Sequence, residues 1–305
     1  MNYQNYDSRY SIHKITTNYS WPIQIDLHLH TTKSDGNLTP SQLIKLIDKT
    51  NLKIISITDH DNINGLEETR KEVDLRENLT LINGIELSTT NNKDEIHILG
   101  YFIDVHSKKL IDKIKELKMQ RIESSKKIIS LLKKKNIFLS WEEIYSKTSG
   151  IIGRPHLARA MIKQNYVKSI NEAFEKYLND ETIKKIIKYK INTFDAIRLI
   201  LDAGGLPVIA HPKSINSLNN QIDKLVDIGL SGIEVYAEKY GEMTQSYYLK
   251  ICEKYNLIPT GGTDYHANNQ KYEMMPGMNG PPYSTYEMLI EKAKSIHGKN
   301  IGQKI

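Results

Sequence analysis

Asp26-Leu27-His28-Leu29-His30, followed by Ser34-Asp35-Gly36 and then by Thr58-Asp59-His60-Asp61, is the stretch on which the reading of this chain turns. Two histidines at i and i+2 on an extended segment project to one side of a strand, so both imidazoles can reach one ion. A lone H-x-H is equally well explained by two core histidines satisfied by their neighbours. Recurrence decides for metal. Glu86 follows Ile82-Asn83-Gly84-Ile85, His97 lies in Glu95-Ile96-His97-Ile98, His211 ends Val208-Ile209-Ala210-His211, and Asp264 and His266 close Gly262-Thr263-Asp264-Tyr265-His266, again at i and i+2.

Each of these groups stands on or just beyond a short apolar, β-rich run. The runs are 23–29, 54–58, 79–85, 96–102, 206–210, 232–235 and 257–260, and helical patterns separate several of them. Thr39-Pro40-Ser41-Gln42 reads as a helix start, with Pro in the first turn and Leu43, Ile44 and Ile47 on one face. Strand followed by helix, repeated, predicts an α/β fold with a parallel sheet closed or partly closed into a barrel, whose site lies at the C-terminal strand ends. The rhythm breaks between Ser107 and Thr193, where Leu110, Ile114, Leu117, Ile128 and Leu132 recur at helical spacing. We therefore divide the chain into an N-terminal extension (1–22), a barrel (23–106 and 194–305) and an inserted helical subdomain (107–193) that caps the substrate. Within the insertion, Gly153-Arg154-Pro155-His156 reads as a helix start whose Arg and His can grip an anion.

Composition limits the alternatives. The chain has 305 residues, and with 39% hydrophobic content it can bury a large core. It lacks an apolar run of membrane-spanning length or a signal-like N-terminus, so we expect no membrane association and a cytoplasmic location. Cys252 is the only cysteine, which excludes disulfides and thiolate zinc sites, and its apolar helical context makes it a poor nucleophile. The net charge is +6, but the segment 107–135 alone carries eleven Lys or Arg against Asp112, Glu116 and Glu123. A solvated helix face explains this better than a nucleic-acid surface. Six neutral imidazoles and three carboxylates carry about −3, so a site filled with three divalent ions stays cationic and favours an anionic substrate such as a phosphate. Histidine with carboxylate and no thiolate suits Mn, Fe or Zn.

Asp-Leu-His-Leu-His, Ser-Asp-Gly, Ile-Thr-Asp-His-Asp, Gly-Ile-Glu, His-Ile-Leu-Gly-Tyr, Ala-His-Pro, Ile-Glu-Val-Tyr and Gly-Gly-Thr-Asp-Tyr-His-Ala together resemble the polymerase and histidinol phosphatase (PHP) family. The resemblance implies a distorted (β/α)7 barrel with two or three divalent ions. It places one ion on His28, His30, Glu86 and Asp264, a second on Glu86, His97 and His211, and a third on Asp35, His60 and His266, with Glu86 as a bridge. Gly-Arg-Pro-His followed by Ala-Phe-Glu-Lys-Tyr-Leu is similar to the branch of nucleoside 3′,5′-bisphosphate phosphatases and 5′-to-3′ exoribonucleases, which implies that Arg154 and His156 face the substrate phosphate. The chain departs from that branch at Asn179-Asp180-Glu181 and at Lys213-Ser214.

The activity this implies is hydrolysis of a small nucleotide phosphomonoester by a metal-activated water, with Arg154 and His156 as catalytic and substrate-binding groups. Asp59 and Asp61 beside His60 are expected to orient ligands or water, with Asp59 counted among the catalytic residues. Cyclic phosphodiester hydrolysis, a histidinol-phosphate-type phosphatase and exonuclease action on short oligonucleotides remain same-chemistry alternatives. A binuclear amidohydrolase and a non-catalytic phosphate-binding module are the alternatives of other classes. No obligate protein partner is expected. Tyr236 and Tyr265 are read as packing residues, and 274–282 as a loop that helps close the site.

Overall fold

The computed structural model describes residues 22–91, 94–187, 190–215, 218–237, 240–268 and 273–297. The N-terminal extension lies almost wholly outside these. Strand β1 (Ile25–Leu29) is buried along its whole length, and α1 (Pro40–Ile47) follows it. Thr39 caps α1 as its sequence suggests: its hydroxyl accepts from the Gln42 amide at 3.2 Å, and the Gln42 side chain accepts from the Thr39 amide at 2.9 Å. β2 (Ile54–Ile57), α2 (Asn64–Val73) and β3 (Thr80–Asn91) continue the pattern, with β1, β2 and β3 parallel.

The alternation then changes direction. β4 (Asp94–Tyr101) runs antiparallel to β3, because the two residues between them can form a hairpin but not a crossover. The sheet is therefore parallel except where β4 pairs antiparallel with its neighbours. Beyond the helical stretch come β5 (Ile191–Asn192), which pairs with β3, then β6 (Leu206–Ile209), β7 (Gly232–Ala237) and β8 (Ile258–Gly262). The order around the sheet is β1-β2-β3-β4-β6-β7-β8. The reversal has a use: because β4 is antiparallel to β6, its N-terminal half carries His97 to the C-terminal end of β6, where the Ala210 amide donates to the His97 carbonyl at 3.0 Å.

β1 and β8 close the barrel through few backbone contacts. The His30 amide donates to the Tyr265 carbonyl at 3.0 Å, and Leu29 bridges to Tyr265. Below that point a carboxylate replaces the ladder. Asp26 is fully buried and accepts from the Thr263 amide (3.0 Å), the Thr263 hydroxyl (2.7 Å) and the Gly277 amide (3.2 Å). Gly262 faces this seam, and a Cβ there would lie 2.5 Å from the His28 amide nitrogen. Downstream of β8, Gly277 thus packs against Asp26.

Five α-helices lie in the chain between β4 and β5: α3 (Lys108–Lys134), α4 (Trp141–Ser146), α5 (Arg154–Lys163), α6 (Ile170–Ala173) and α7 (Glu181–Ile186). They bury a cluster of their own that includes Ile128, Leu132, Leu157, Met161, Leu178 and Ile183. Several α3 lysines are paired with acids on the surface, among them Lys113 with Glu116 and Lys127 with Glu123. No helix among the described residues is long and apolar enough to cross a membrane. Cys252 is buried in the helix Glu242–Tyr255, and burial pushes its thiol up to about 12, in keeping with an inert side chain.

One buried ion pair joins the helices to the barrel. Arg121 of α3 donates from Nε to Asp61 Oδ2 at 2.9 Å, and from Nη2 to the same oxygen and to Ser88 Oγ at 2.9 Å. Asp61 also accepts from the Ser88 amide at 2.9 Å. Its carboxylate is therefore spent on this junction, and the expectation that it orients ligands or water is corrected. Arg121→Met strands a buried charge and is expected to cost about 3–5 kcal/mol in denaturant unfolding. The Asp61→Asn/Arg121→Met double variant should lose less than the sum of the two single losses. Strict additivity would show that the pair does not hold the junction.

Candidate metal centre

The candidate ligands from seven separate segments meet around the Glu86 carboxylate, which is fully buried. His28 Nε2 and His30 Nε2 each lie 3.2 Å from Glu86 Oε2, and they lie 3.2 and 3.0 Å from Asp264 Oδ1. The i and i+2 histidines thus present the same ring nitrogen to the same two carboxylates. His60 Nδ1 is 3.1 Å from Glu86 Oε2, while His97 Nδ1 and His211 Nε2 approach Oε1 at 2.8 and 3.0 Å. On the far side of His30, His266 Nε2 lies 3.2 Å from Asp35 Oδ1 and stacks on the His30 ring at a centroid distance of 4.0 Å. Backbone strain serves this placement, since His211 and Asp264 both hold positive φ, 30° and 51°.

Among the described residues, three groupings have ligand atoms within 4.8 Å of one another: His28-His30-Glu86-Asp264, His30-Asp35-His60-His266, and His60-Glu86-His97. The first matches the expected set. The others show His30 beside the Asp35 group and His60 beside Glu86, so that the groupings share members.

The donors suit divalent cations. His30 Nε2, Asp35 Oδ1 and His60 Nδ1 are buried, and although each lies within 3.2 Å of an ionisable neighbour in the cluster, none makes a well-directed hydrogen bond. Burial by itself raises Asp35, Glu86 and Asp264, yet the surrounding imidazoles outweigh it and hold all three below the usual carboxylate range. Burial also pushes His60 down to about 3, which leaves a neutral imidazole with a lone pair to donate. Buried anionic oxygens and ring nitrogens crowded around one point form a site that calls for positive charge.

Residues 26–228 match the family model for the PHP domain. The chain belongs to the PHP family. It is 28% identical over 249 residues to a 3′,5′-nucleoside bisphosphate phosphatase of Chromobacterium violaceum, covering 80% of this chain and 87% of that one. It is also 28% identical to a 5′-3′ exoribonuclease of Haemophilus influenzae, over 79% of this chain and 89% of that one. A solved structure from Bifidobacterium adolescentis, described as a candidate metal-dependent phosphoesterase, superposes with a TM-score of 0.79 at 24% identity, covering 93% of this chain and all of that one. Family and cluster together make this chain a metal-dependent phosphoester hydrolase of the PHP type.

Around the PHP centre stands a layer of residues that sequence reading left unassigned. Glu234 of β7 is 1% exposed; its Oε1 lies 3.0 Å from His28 Nδ1, and its Oε2 accepts from the His211 amide at 2.7 Å. One carboxylate therefore fixes the ring of one ligand and the backbone of another, leaving His28 Nε2 turned to the cluster. The signal was present as a lone acid inside the apolar run Gly232-Ile233-Glu234-Val235. Asp59 is placed differently from its expected catalytic role. Its Oδ1 accepts from the Thr31 amide (2.8 Å) and Ser34 Oγ (2.6 Å), and its Oδ2 from Thr31 Oγ1 (2.6 Å). With both oxygens occupied and 1% of the residue exposed, Asp59 ties the loop carrying Asp35 to the segment carrying His60.

The helices beside the barrel contribute cations. Arg154 reaches Glu95 Oε1 at 3.4 Å and the Asn179 side chain at 3.2 Å. His156 accepts at Nδ1 from the Gly153 amide at 3.1 Å, and burial pushes it down to about 4 against the attraction of Asp35, so the neutral ring keeps its proton on Nε2. Arg159, also unassigned from sequence, donates to the Asp35 carbonyl and, at 2.7 Å, to the Asn268 side chain. His156 and Arg159 line a cavity of about 280 Å³ with Asn37, Thr148 and Lys163. Tyr265 is 2% exposed and packs in the core, as expected.

Glu234→Gln tests the supporting layer. It is expected to lower metal affinity about 10–100-fold, read by metal analysis after dialysis against graded chelator, with the fold retained by circular dichroism. Unchanged metal retention would exclude Glu234 from holding the site.

Proposed function

We propose that this PHP enzyme hydrolyses a phosphomonoester of a small nucleotide, with a nucleoside 3′,5′-bisphosphate as the leading substrate. The observation that carries the reading is the placement of Arg154 and His156, from the N-terminus of α5, on the side of the barrel where Glu95 and Asp35 border the cluster. The 28% identity to a bisphosphate phosphatase over most of both chains supports it.

His28, His30, Glu86 and Asp264 would hold one ion, Glu86, His97 and His211 a second, and Asp35, His60 and His266 a third. Mn, Fe and Zn all suit this donor set. Such ions supply a hydroxide nucleophile at neutral pH and neutralise charge on phosphoryl oxygens. The chain's own groups do the rest. The Arg154 guanidinium offers two parallel donors to a phosphoryl oxygen pair, which fixes phosphorus in one orientation. Neutral His156, with its proton on Nε2, is placed to give a hydrogen bond to a substrate oxygen. Segment 107–193 acts as the cap that brings both groups over the barrel and excludes water. The 5′-3′ exoribonuclease relative keeps a short oligonucleotide as the second reading.

A panel of nucleoside monophosphates, 3′,5′-bisphosphates, cyclic phosphates and short oligonucleotides, assayed with the Mn-loaded enzyme, tests the substrate. A bisphosphate should be preferred over the matching monophosphate, and equal slow turnover of every compound would count against the reading. His28→Ala and Asp264→Ala should each abolish turnover while leaving a folded protein, and normal activity in either variant would sink the metal-based mechanism.

A further inference from the structure

Next to the cluster, two largely buried cations converge on one carboxylate. Arg154 Nη2 lies 3.4 Å from Glu95 Oε1, and Lys190 Nζ lies 2.5 Å from Glu95 Oε2. Exposure is unequal among them: the Arg154 and Lys190 side chains are 13% and 14% exposed, whereas Glu95 is 41% exposed. Arg154 is also held in place. Asn179 accepts from Arg154 Nη1 at 3.2 Å, and the guanidinium lies 5.4 Å from the centre of the Phe174 ring. Glu95 Oε1 is in turn 3.4 Å from His97 Nε2, on the ring whose Nδ1 faces Glu86. The space that Glu95 fills therefore adjoins a metal ligand.

Two fixed, desolvated cations need a counter-anion, and an anion bound by both is recognised more strongly when it has more charge and more oxygens. A carboxylate brings one charge and two oxygens, whereas a phosphoryl group brings up to two charges and three oxygens. We propose that Arg154 and Lys190 form one anion site for a phosphoryl group of the substrate, and that Glu95 is its placeholder. In the absence of substrate the Glu95 carboxylate neutralises both cations. When a phosphoryl group arrives, it takes over these contacts and the exposed Glu95 side chain turns to solvent. This deepens the phosphoesterase reading above by adding Lys190 to the substrate contacts and by giving the site a built-in competitor. It rests on that reading only for the identity of the anion.

The test uses the full-length, metal-loaded protein and inorganic phosphate, with the dissociation constant measured by calorimetry. Glu95→Gln removes the competing charge and is expected to tighten phosphate binding about tenfold or more. Lys190→Gln should weaken it by about as much, and Lys190→Arg, which keeps the charge, should bind within a few-fold of the parent. Should Lys190→Gln fail to fold, the Glu95→Gln and Lys190→Arg pair still decides the matter. If Glu95 serves only to orient His97, Glu95→Gln will lower metal content and leave phosphate affinity equal or weaker, and the placeholder is overturned. Tighter phosphate binding in Glu95→Gln without hydrolysis of any phosphoester would uphold the anion site and remove the reaction assigned to it. Hydrolysis with phosphate affinity unmoved by Glu95→Gln would do the reverse.

Discussion

The structure depends on one buried carboxylate. Glu86 sits with no access to water, and imidazoles from β1, from the turn after β2, from β4 and from the end of β6 all approach it within 3.2 Å. Taking a carboxylate out of water is costly unless positive charge meets it, and the convergence of donors on one point is what makes its burial tolerable. The constraint extends outward. Each imidazole must present a chosen nitrogen, so Glu234 holds His28 from behind and the Asp264 carbonyl lies 2.8 Å from His266 Nδ1. The outer groups are as deeply buried as the inner ones because they bind to the same rigid strands.

The departure from a uniform parallel barrel belongs to this same constraint. A parallel β4 would have needed a helical crossover and would have carried its N-terminal half to the opposite end of the sheet. With a hairpin, Glu86 and His97 stand on neighbouring strands, Glu86 opposite Leu99 and His97 opposite Ser88. The long helical segment then leaves from the far end of β4 and returns at β5, where Ile191 and Asn192 pair with Thr89 and Thr90. Arg121 spans from that segment to Asp61, the neighbour of His60, so the helical segment and the cluster share a charged joint.

Much of this was legible in the sequence because metal ligands are unusual residues in usual places. A histidine or carboxylate at the tip of an apolar run is conspicuous, and the i and i+2 pairs announce their shared face. Helix α1 was legible from its start at Thr39-Pro40. The supporting groups were harder to see, for a physical reason: Asp26 and Glu234 bond to partners 237 and 206 positions away, and no local pattern reports such a distance. Asp59 and Asp61 show the converse. Their position beside a ligand suggested chemistry, while their contacts reveal that they bind loops and helices together. Strand direction was also hidden, since β4 has the same apolar character in either sense.

The seam between β1 and β8 bears on how the chain comes to be folded. It joins Asp26 to Thr263, and it carries His28 and His30 to Asp264, so the first ligands written in the chain wait for the last. Contacts of such long sequence separation form late, after the entropy of closing the intervening loop has been overcome. A chain cut short before its final strand would lack Asp264 and His266, and with them two of the nine candidate donors.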